Sequence, residues 1–328
     1  MTTHEIGAMV FAHPASRTKN LFIVCDRRKS WKDFHEIGRE IRAEAKDISV
    51  HIVPGGFDSA AIPPQVWAHP ALTVSFVRDG FVPKRGKCFF SRAISKTEQY
   101  RRFLAAGLPS PRTAVFRFGT VYDPAEWGEF VVLKPADLGQ TSDKDNVRLL
   151  RTGHLNGLDT AGFSGLGFAP ATTLLIQTFI DTGPFPQHYR ILTLFGEPLY
   201  AQHKVMHHKR VDLTAPDEDI AQAVVADGVG QSTRSFGDYP DVLAFARKVA
   251  EVFAEVPLLG MDVMKAAASG ELSVLEVNAG GNTWHFSSPA SAYWRQAHPE
   301  YLKAMKEQFG AFKAAARALI RQTRNHAC

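Results

Sequence analysis

In GMDVMKAAASGELSVLEVN (260–278), Asp262 stands near the start of one apolar run, and Glu276 and Asn278 stand two residues apart on the next. The turn residues ASGE (268–271) between the runs predict an antiparallel hairpin whose return strand brings Glu276 roughly opposite Asp262. Side chains two apart on a strand point the same way, so Glu276 and Asn278 share a face. Two carboxylates and an amide oxygen form a hard-oxygen site, of the kind that holds Mg2+ and keeps room for phosphate oxygens. An isolated acid–x–Asn pair reads as the polar outer face of a strand. Asp262 across the hairpin favours the metal.

Two lysines precede the hairpin. Lys134 ends the apolar run EFVVLK (129–134), where a charge at a strand end can be aimed at a cleft, and Lys96 opens a helix expected over 95–106. Each alone reads as a solvated lysine and gains meaning only from its company. Between Lys134 and the next strand lies PADLGQTSDKDN (135–146), with one glycine and the hydroxyls of Thr141 and Ser142. That composition suits a flap closing over phosphates with backbone N–H groups, and equally an ordinary surface loop. No GxxxxGK[ST] pattern occurs, which excludes a Walker-type NTPase. TLLIQTFID (173–181) has the form of a hinge strand feeding a linker, where an adenine ring can bond to backbone groups.

The elements that must position these residues are of two kinds. NLFIVCD (20–26), WKDFHEIGREIRAEAKD (31–47) and SVHIVPGG (49–56) read as strand, helix and strand, a βαβ unit with a parallel sheet. The loop at Asp26-Arg27-Arg28-Lys29 is no GxGxxG turn, so a nicotinamide cofactor is not expected. A helix stopping at Gly107 follows, then strands around 113–118, 129–135 and 173–180. RILTLFGEPLYA predicts a hairpin turning at Gly196-Glu197-Pro198, so the second half is α+β. A C-terminal helix is expected over 299–322, with Tyr301, Leu302, Met305, Phe309, Phe312, Ala316 and Leu319 on one face.

Composition narrows the class. A chain of 328 residues exceeds one compact core. The first twenty residues lack a sustained apolar stretch and no run approaches a membrane span, so a cytoplasmic protein without a membrane partner is expected. Cys25, Cys88 and Cys328 are scattered and read as free thiols. The net charge of +5 is spread out and not interleaved with exposed aromatics, which argues against nucleic acid. HKVMHHKR (203–210) reads as an anion-binding segment or a solvated turn, with no zinc geometry.

Taken in order, SKTEQYRRFLAAGLPSPRT, FVVLKP, the flap, LLIQTFID, HYRILTLFGEPLYA, GMDVM and LEVNAGGN resemble the ATP-grasp superfamily over residues 90–290. The likeness is to its carboxylate–amine ligases: D-alanine–D-alanine ligase, glutathione synthetase and the ribosomal-protein glutamate ligases. The resemblance implies α/β plus α+β architecture, an ATP-grasp fold behind an N-terminal Rossmann-like (pre-ATP-grasp) domain. The division would be 1–90, a central small lobe at 91–172, and a C-terminal lobe at 173–328 with the metal site and the C-terminal helix.

By the same resemblance Lys96 and Lys134 would hold ATP phosphates under the flap of Thr141 and Ser142. Gln177 and the backbone of Phe179 and Ile180 would meet the adenine, and His188 falls where an acid usually binds the ribose. Gln177 and His188 both depart from frequent acidic residues, and the flap is poor in glycine. Asp262, Glu276 and Asn278 would hold two Mg2+ ions, with Mn2+ as a substitute. Arg190, Lys204, Arg210 and Arg234 are candidates for stabilising a tetrahedral oxyanion. STRSF (232–236), similar to the arginine segment of such ligases, favours Arg234. GGNTWHFSSP (280–289) is similar to the substrate loop of D-alanine–D-alanine ligases and sets Gly281, Thr283, His285 and Ser287 beside the acceptor, with Trp284 and Phe286 in the core.

The implied activity activates a carboxylate as an acyl phosphate and joins it to an amine of an amino acid or small peptide. The alternatives are a small-molecule kinase on the same fold and a nucleotide-binding module without turnover. A homodimer is expected from the habit of the superfamily.

Overall fold

The computed structural model describes residues 18–27, 30–77, 81–136, 147–169, 172–222 and 231–328. Strand β1 (Lys19–Cys25) is buried from Asn20 onward. Its sequence supplies apolar residues to both faces, as a parallel strand covered on two sides requires. Helix α1 (Trp31–Glu44) lays Phe34, Ile37 and Ile41 on the core. The crossover returns to β2 (Ile48–Pro54), parallel to β1 as expected, and β3 (Ala71–Ser75) and β4 (Lys87–Phe90) complete a four-stranded sheet of order β2-β1-β3-β4, parallel throughout.

Helix α2 (Lys96–Ala105) begins where the Ser95 hydroxyl accepts a hydrogen bond from Glu98 N, 3.2 Å away. Gly107, at φ +62°, follows its end. A second sheet, antiparallel, is formed by β5 (Thr113–Val115), β6 (Phe130–Pro135), β7 (Arg148–Arg151) and β8 (Leu174–Thr178) in the order β5-β8-β6-β7.

The third sheet consists of β9 (Gln187–Leu194), β10 (Glu197–Met206), β11 (Ser232–Ser235), β12 (Leu258–Lys265) and β13 (Leu272–Ala279), order β11-β10-β9-β12-β13 and also antiparallel. The β9–β10 turn lies one residue earlier than expected. Phe195 and Gly196, at φ +50° and +77°, make it, while Glu197 and Pro198 already belong to β10. A left-handed phenylalanine is unfavourable. It is held by the hydrogen bond from Phe195 N to Pro257 O (2.7 Å) and by edge-on packing of its ring against Phe89.

Helix α3 (Pro240–Val252) covers one face of this sheet, where Ile191, Ala201, Met261, Val263 and Val277 meet Val242, Ala246 and Val249. Leu192, Leu194, Tyr200 and Leu258 join the core of the parallel sheet instead. The chain then runs through α4 (Ala292–Ala297), α5 (Pro299–Glu307) and α6 (Ala311–His326). The single helix expected over 299–322 is therefore two. Gly310, at φ +61°, breaks it, and the alanine-rich second part packs on α1.

Among the described residues no helix is long and apolar enough to cross a membrane. Cys25, Cys88 and Cys328 are free thiols. Burial pushes the thiols of Cys25 and Cys88 up to about 12, so both stay protonated at neutral pH.

Candidate functional site

Strands β12 and β13 pair with Asp262 opposite Glu276 and Gly260 opposite Asn278, while β9 sets Arg190 opposite Asp262 on the other side. Directly opposed residues of antiparallel strands project from one face, so these polar side chains converge. Arg190 Nη1 donates to Asp262 Oδ2 at 2.7 Å. Asn278 Nδ2 donates to Glu276 Oε1 at 3.2 Å and to Asp262 Oδ2 at 3.4 Å. Burial disfavours the Arg190 cation, but Asp262 and Glu276 outweigh it and hold its pKa above the ordinary arginine value. The other Asp262 oxygen, Oδ1, is buried and accepts no hydrogen bond.

A buried acceptor left alone costs about 1–3 kcal/mol, and a cation would satisfy it. On that observation the residues fit a hard divalent ion. Two carboxylates and one amide make the set; no group of three or more His, Cys, Asp and Glu is placed to hold a metal among the described residues. Since Asn278 turns its nitrogen toward the acids, holding a cation with its oxygen takes a half-turn of the amide. Gly260 makes the arrangement possible. A Cβ there would stand 2.5 Å from Thr283 Cγ2 and 2.8 Å from Arg190 Nη2, so the guanidinium crosses the strand over bare backbone.

The lysines gather at the end of β6. Lys134, 6% exposed, donates to Tyr100 Oη and Gln177 Oε1, each at 2.9 Å. Gln177 Nε2 donates to Tyr100 Oη (2.7 Å) and Thr113 Oγ1 (2.8 Å), and Tyr100 Oη donates to Leu275 O (2.7 Å). The Gln177 side chain is thus engaged in holding Lys134. Lys96, also buried, donates to Pro135 O at 3.0 Å, so both ammonium groups sit where the chain leaves β6. The flap that follows, with Thr141 and Ser142, lies outside the described residues.

Phe179 and Ile180 follow β8 and are half-buried, with Phe179 N donating to Phe130 O at 3.2 Å. Arg210 lies over the Phe179 ring and pairs with Asp181. His188, Lys204 and Arg234 stand in register across β9, β10 and β11. They share the face of Arg190, displaced along the strands from Asp262. His203 turns to the opposite face, stacked on Tyr189.

The segment after β13 is tied from four sides. Thr283 Oγ1 donates to Asn278 O (3.2 Å), and Trp284 Nε1 and Ser287 Oγ donate to Asp33 Oδ2 (2.8 and 2.6 Å). Arg295 Nη1 donates to His285 O (3.0 Å), and the Tyr200 hydroxyl meets His285 Nδ1 at 3.0 Å. Burial, with Arg190, Arg234 and Arg295 nearby, lowers the His285 pKa to about 3. Burial raises that of Tyr200 above the ordinary phenol value. The His285 imidazole is therefore neutral at ordinary pH, hydrogen-bonded to the Tyr200 hydroxyl. Trp284 and Phe286 are buried, matching the core reading. Gly281 lies in the turn Gly281–Thr283 between Asn278 and this loop.

Two residues were missed by sequence reasoning. Asp33 lies four residues before Ile37, which puts an acid on the apolar stripe of α1. Tyr100 stands four after Lys96 and three before Phe103, on the same helical side. Both offsets are visible in the sequence.

No family model matches the chain, and none of the curated proteins matches it. Solved structures do. ATP-grasp ligase PsnB complexed with a phosphomimetic variant of minimal precursor, Mg and ADP superposes with a TM-score of 0.51 at 16% identity, over 94% of this chain and 99% of that one. The RiPP-associated ATP-grasp ligase of Chryseobacterium gregarium, with ADP and a leader and core peptide, gives 0.48 at 12% identity over 93% and 97%. D-alanine–D-alanine ligase from Bacillus anthracis gives 0.46 at 13% identity over 94% and 99%. Superposing on PsnB over nearly the whole length of both chains, this arrangement of one parallel and two antiparallel sheets has the ATP-grasp fold.

Proposed function

We propose that the protein is an ATP- and Mg2+-dependent ligase that activates a carboxylate as an acyl phosphate and joins it to an amine, with amino acids or peptides as substrates. The observation that carries this reading is the orphaned, buried Oδ1 of Asp262, beside Glu276 and Asn278, on a fold whose two buried lysines meet at one strand end. The PsnB complex with Mg and ADP supports the same cofactors here. In this reading 1–90 is a pre-ATP-grasp domain of Rossmann-like form, and 91–172 and 173–328 are the two lobes that enclose the nucleotide.

Lys96 and Lys134 then hold the phosphates, and the chain around Phe179 and Ile180 borders the adenine. His188 lies toward the ribose. Gln177 serves by orienting Lys134. Asp262, Glu276 and Asn278 would hold the metal, which would supply neutralisation of charge on the transferring phosphoryl group. Arg190 keeps Asp262 aligned through its hydrogen bond to Oδ2. Once the amine attacks the acyl phosphate, a tetrahedral oxyanion needs a fixed cation, and Arg234, with Lys204 beside it in register, is the proposed donor. His285 borders the acceptor as a neutral, oriented imidazole. Thr283 and Ser287 shape its loop through Asn278 and Asp33.

Incubation with γ-labelled ATP and panels of carboxylate–amine pairs tests the proposal. A ligase releases the label as phosphate with one ADP per amide formed. Label retained in a stable product would make it a kinase, and nucleotide binding without ADP release for any pair would make it a binding module.

A further inference from the structure

Resting on the reading just given, we infer that the Tyr100 hydroxyl is a junction passing nucleotide contact at Lys134 to the metal-bearing strand β13. A tyrosine hydroxyl offers one donor and two acceptor positions. Here all three are used: it donates to Leu275 O and accepts from Lys134 Nζ and Gln177 Nε2. It therefore joins α2, β6, β8 and β13 at one atom, and Tyr100 is itself buried.

The attachment on β13 is specific. Leu275 immediately precedes Glu276, and Val277 N, immediately after it, donates to Gln99 Oε1 of the same helix at 2.8 Å. Strand β13 is the edge of its sheet, and Pro109 O takes a third outward group, Val274 N, at 2.9 Å. Helix α2 and its exit thus cover an edge that would otherwise be open, and bracket Glu276 from both sides. With its three bonds fixed, the hydroxyl cannot follow a moving Lys134 without drawing on Leu275.

A phosphate that orders Lys134 therefore orders the backbone carrying Glu276 before any metal arrives. Ordering of one site by a ligand at another lowers the cost of the second binding step. Tyr100 is a positioning residue in this account. It touches neither nucleotide nor metal.

Hydrogen exchange with ADP in excess chelator tests it, because no cation then bridges the phosphates to the acids. In the wild-type protein, ADP is expected to slow exchange of the 272–279 amides about fivefold or more, the low end of ordinary coupling between sites. Tyr100→Phe keeps the ring and removes the hydroxyl. ADP should still protect β6 and β8 in this variant but leave β13 unchanged. Gln99→Ala, which frees Val277 N without touching Lys134, should raise β13 exchange equally with and without ADP. If Tyr100→Phe does not fold, Tyr100→Met reads the same contrast with a flexible filler.

A merely structural tyrosine would lower the melting temperature and leave the ADP-induced protection of β13 intact, which overturns the inference. Wild-type protein that binds ADP without protecting β13 overturns it too. Wild-type protein that binds no ADP in chelator also overturns the inference, whereas protein that binds none with Mg2+ present either removes the ligase reading itself; the β6 and β8 peptides in the two buffers tell the failures apart.

Discussion

Around Lys134 the hydrogen bonds close on themselves, and around Asp262 they do not. The lysine rests on two neutral groups, Tyr100 and Gln177, whose remaining donors are taken by Leu275 O and Thr113. Among the described residues no carboxylate pairs with its positive charge. The acid corner keeps an ion pair to Arg190 on one oxygen and nothing on the other. A cation without a bonded anion on β6 and an anion with an open acceptor on β12, in separate sheets, are complementary to a metal-bound phosphate. One corner has its side-chain partners in place, and the other keeps an acceptor open.

Breaking the ion pair should have the largest effect. Arg190→Leu leaves Asp262 buried without its cation and is expected to destabilise the fold by about 3–5 kcal/mol in chemical denaturation. Arg190→Leu with Asp262→Leu should recover much of that loss. A single variant as stable as wild type would remove the idea that Arg190 compensates the buried charge of Asp262.

The lysine corner should respond in binding more than in folding. Lys134→Met removes a charged donor worth about 1.5–3 kcal/mol and should weaken Mg·ATP-analogue binding by about 10–150-fold in calorimetry. Its melting temperature should move far less than that of Arg190→Leu, and the reverse order would contradict the comparison.

Gly260→Ala is the next perturbation in size. The new methyl meets Thr283 and the Arg190 guanidinium at impossible distances, so about 1–3 kcal/mol of overpacking is expected, together with weaker magnesium dependence. An unchanged denaturation midpoint would mean that Arg190 does not cross the strand there.

The smallest effect near neutral pH is in the loop that follows β13. Because the folded His285 pKa is lowered to about 3 while an unfolded histidine titrates near its ordinary 6.5, the unfolded chain takes up the proton first on acidification. Stability is thus full above pH 6.5 and falls progressively as pH drops through that value toward 3. His285→Gln should flatten this part of the stability–pH curve, and a wild-type curve rising on acidification over the same range would have the wrong sign.

The acid corner was legible where it depended on local pattern. Asp262 and Glu276 are fourteen residues apart around a tight turn, so a hairpin signal sufficed to pair them. Arg190 opposite Asp262 was not, because pairing of β9 with β12 closes a long loop, and only the assembled sheet sets that register. The lysine corner was half legible. Charge at the end of an apolar run marked Lys134, but the engagement of Gln177 depends on two strands meeting with one antiparallel offset. Asp33 was hidden for the same reason, its partners Trp284 and Ser287 lying some 250 residues away. The C-terminal helix was misread for a local reason, since Gly310 interrupts an otherwise unbroken apolar period.

The central claim, that Asp262, Glu276 and Asn278 hold magnesium against a nucleotide kept by Lys134, is tested most directly by titrating a non-hydrolysable ATP analogue with and without Mg2+. Glu276→Gln keeps the acceptor for Asn278 and spares the Arg190 pair, changing only charge at the metal. The account predicts that Mg2+ strengthens binding to wild type, and that the variant keeps the metal-free affinity but loses most of the magnesium gain. Equal magnesium dependence in the two proteins, or no binding of the analogue to wild type, would contradict it.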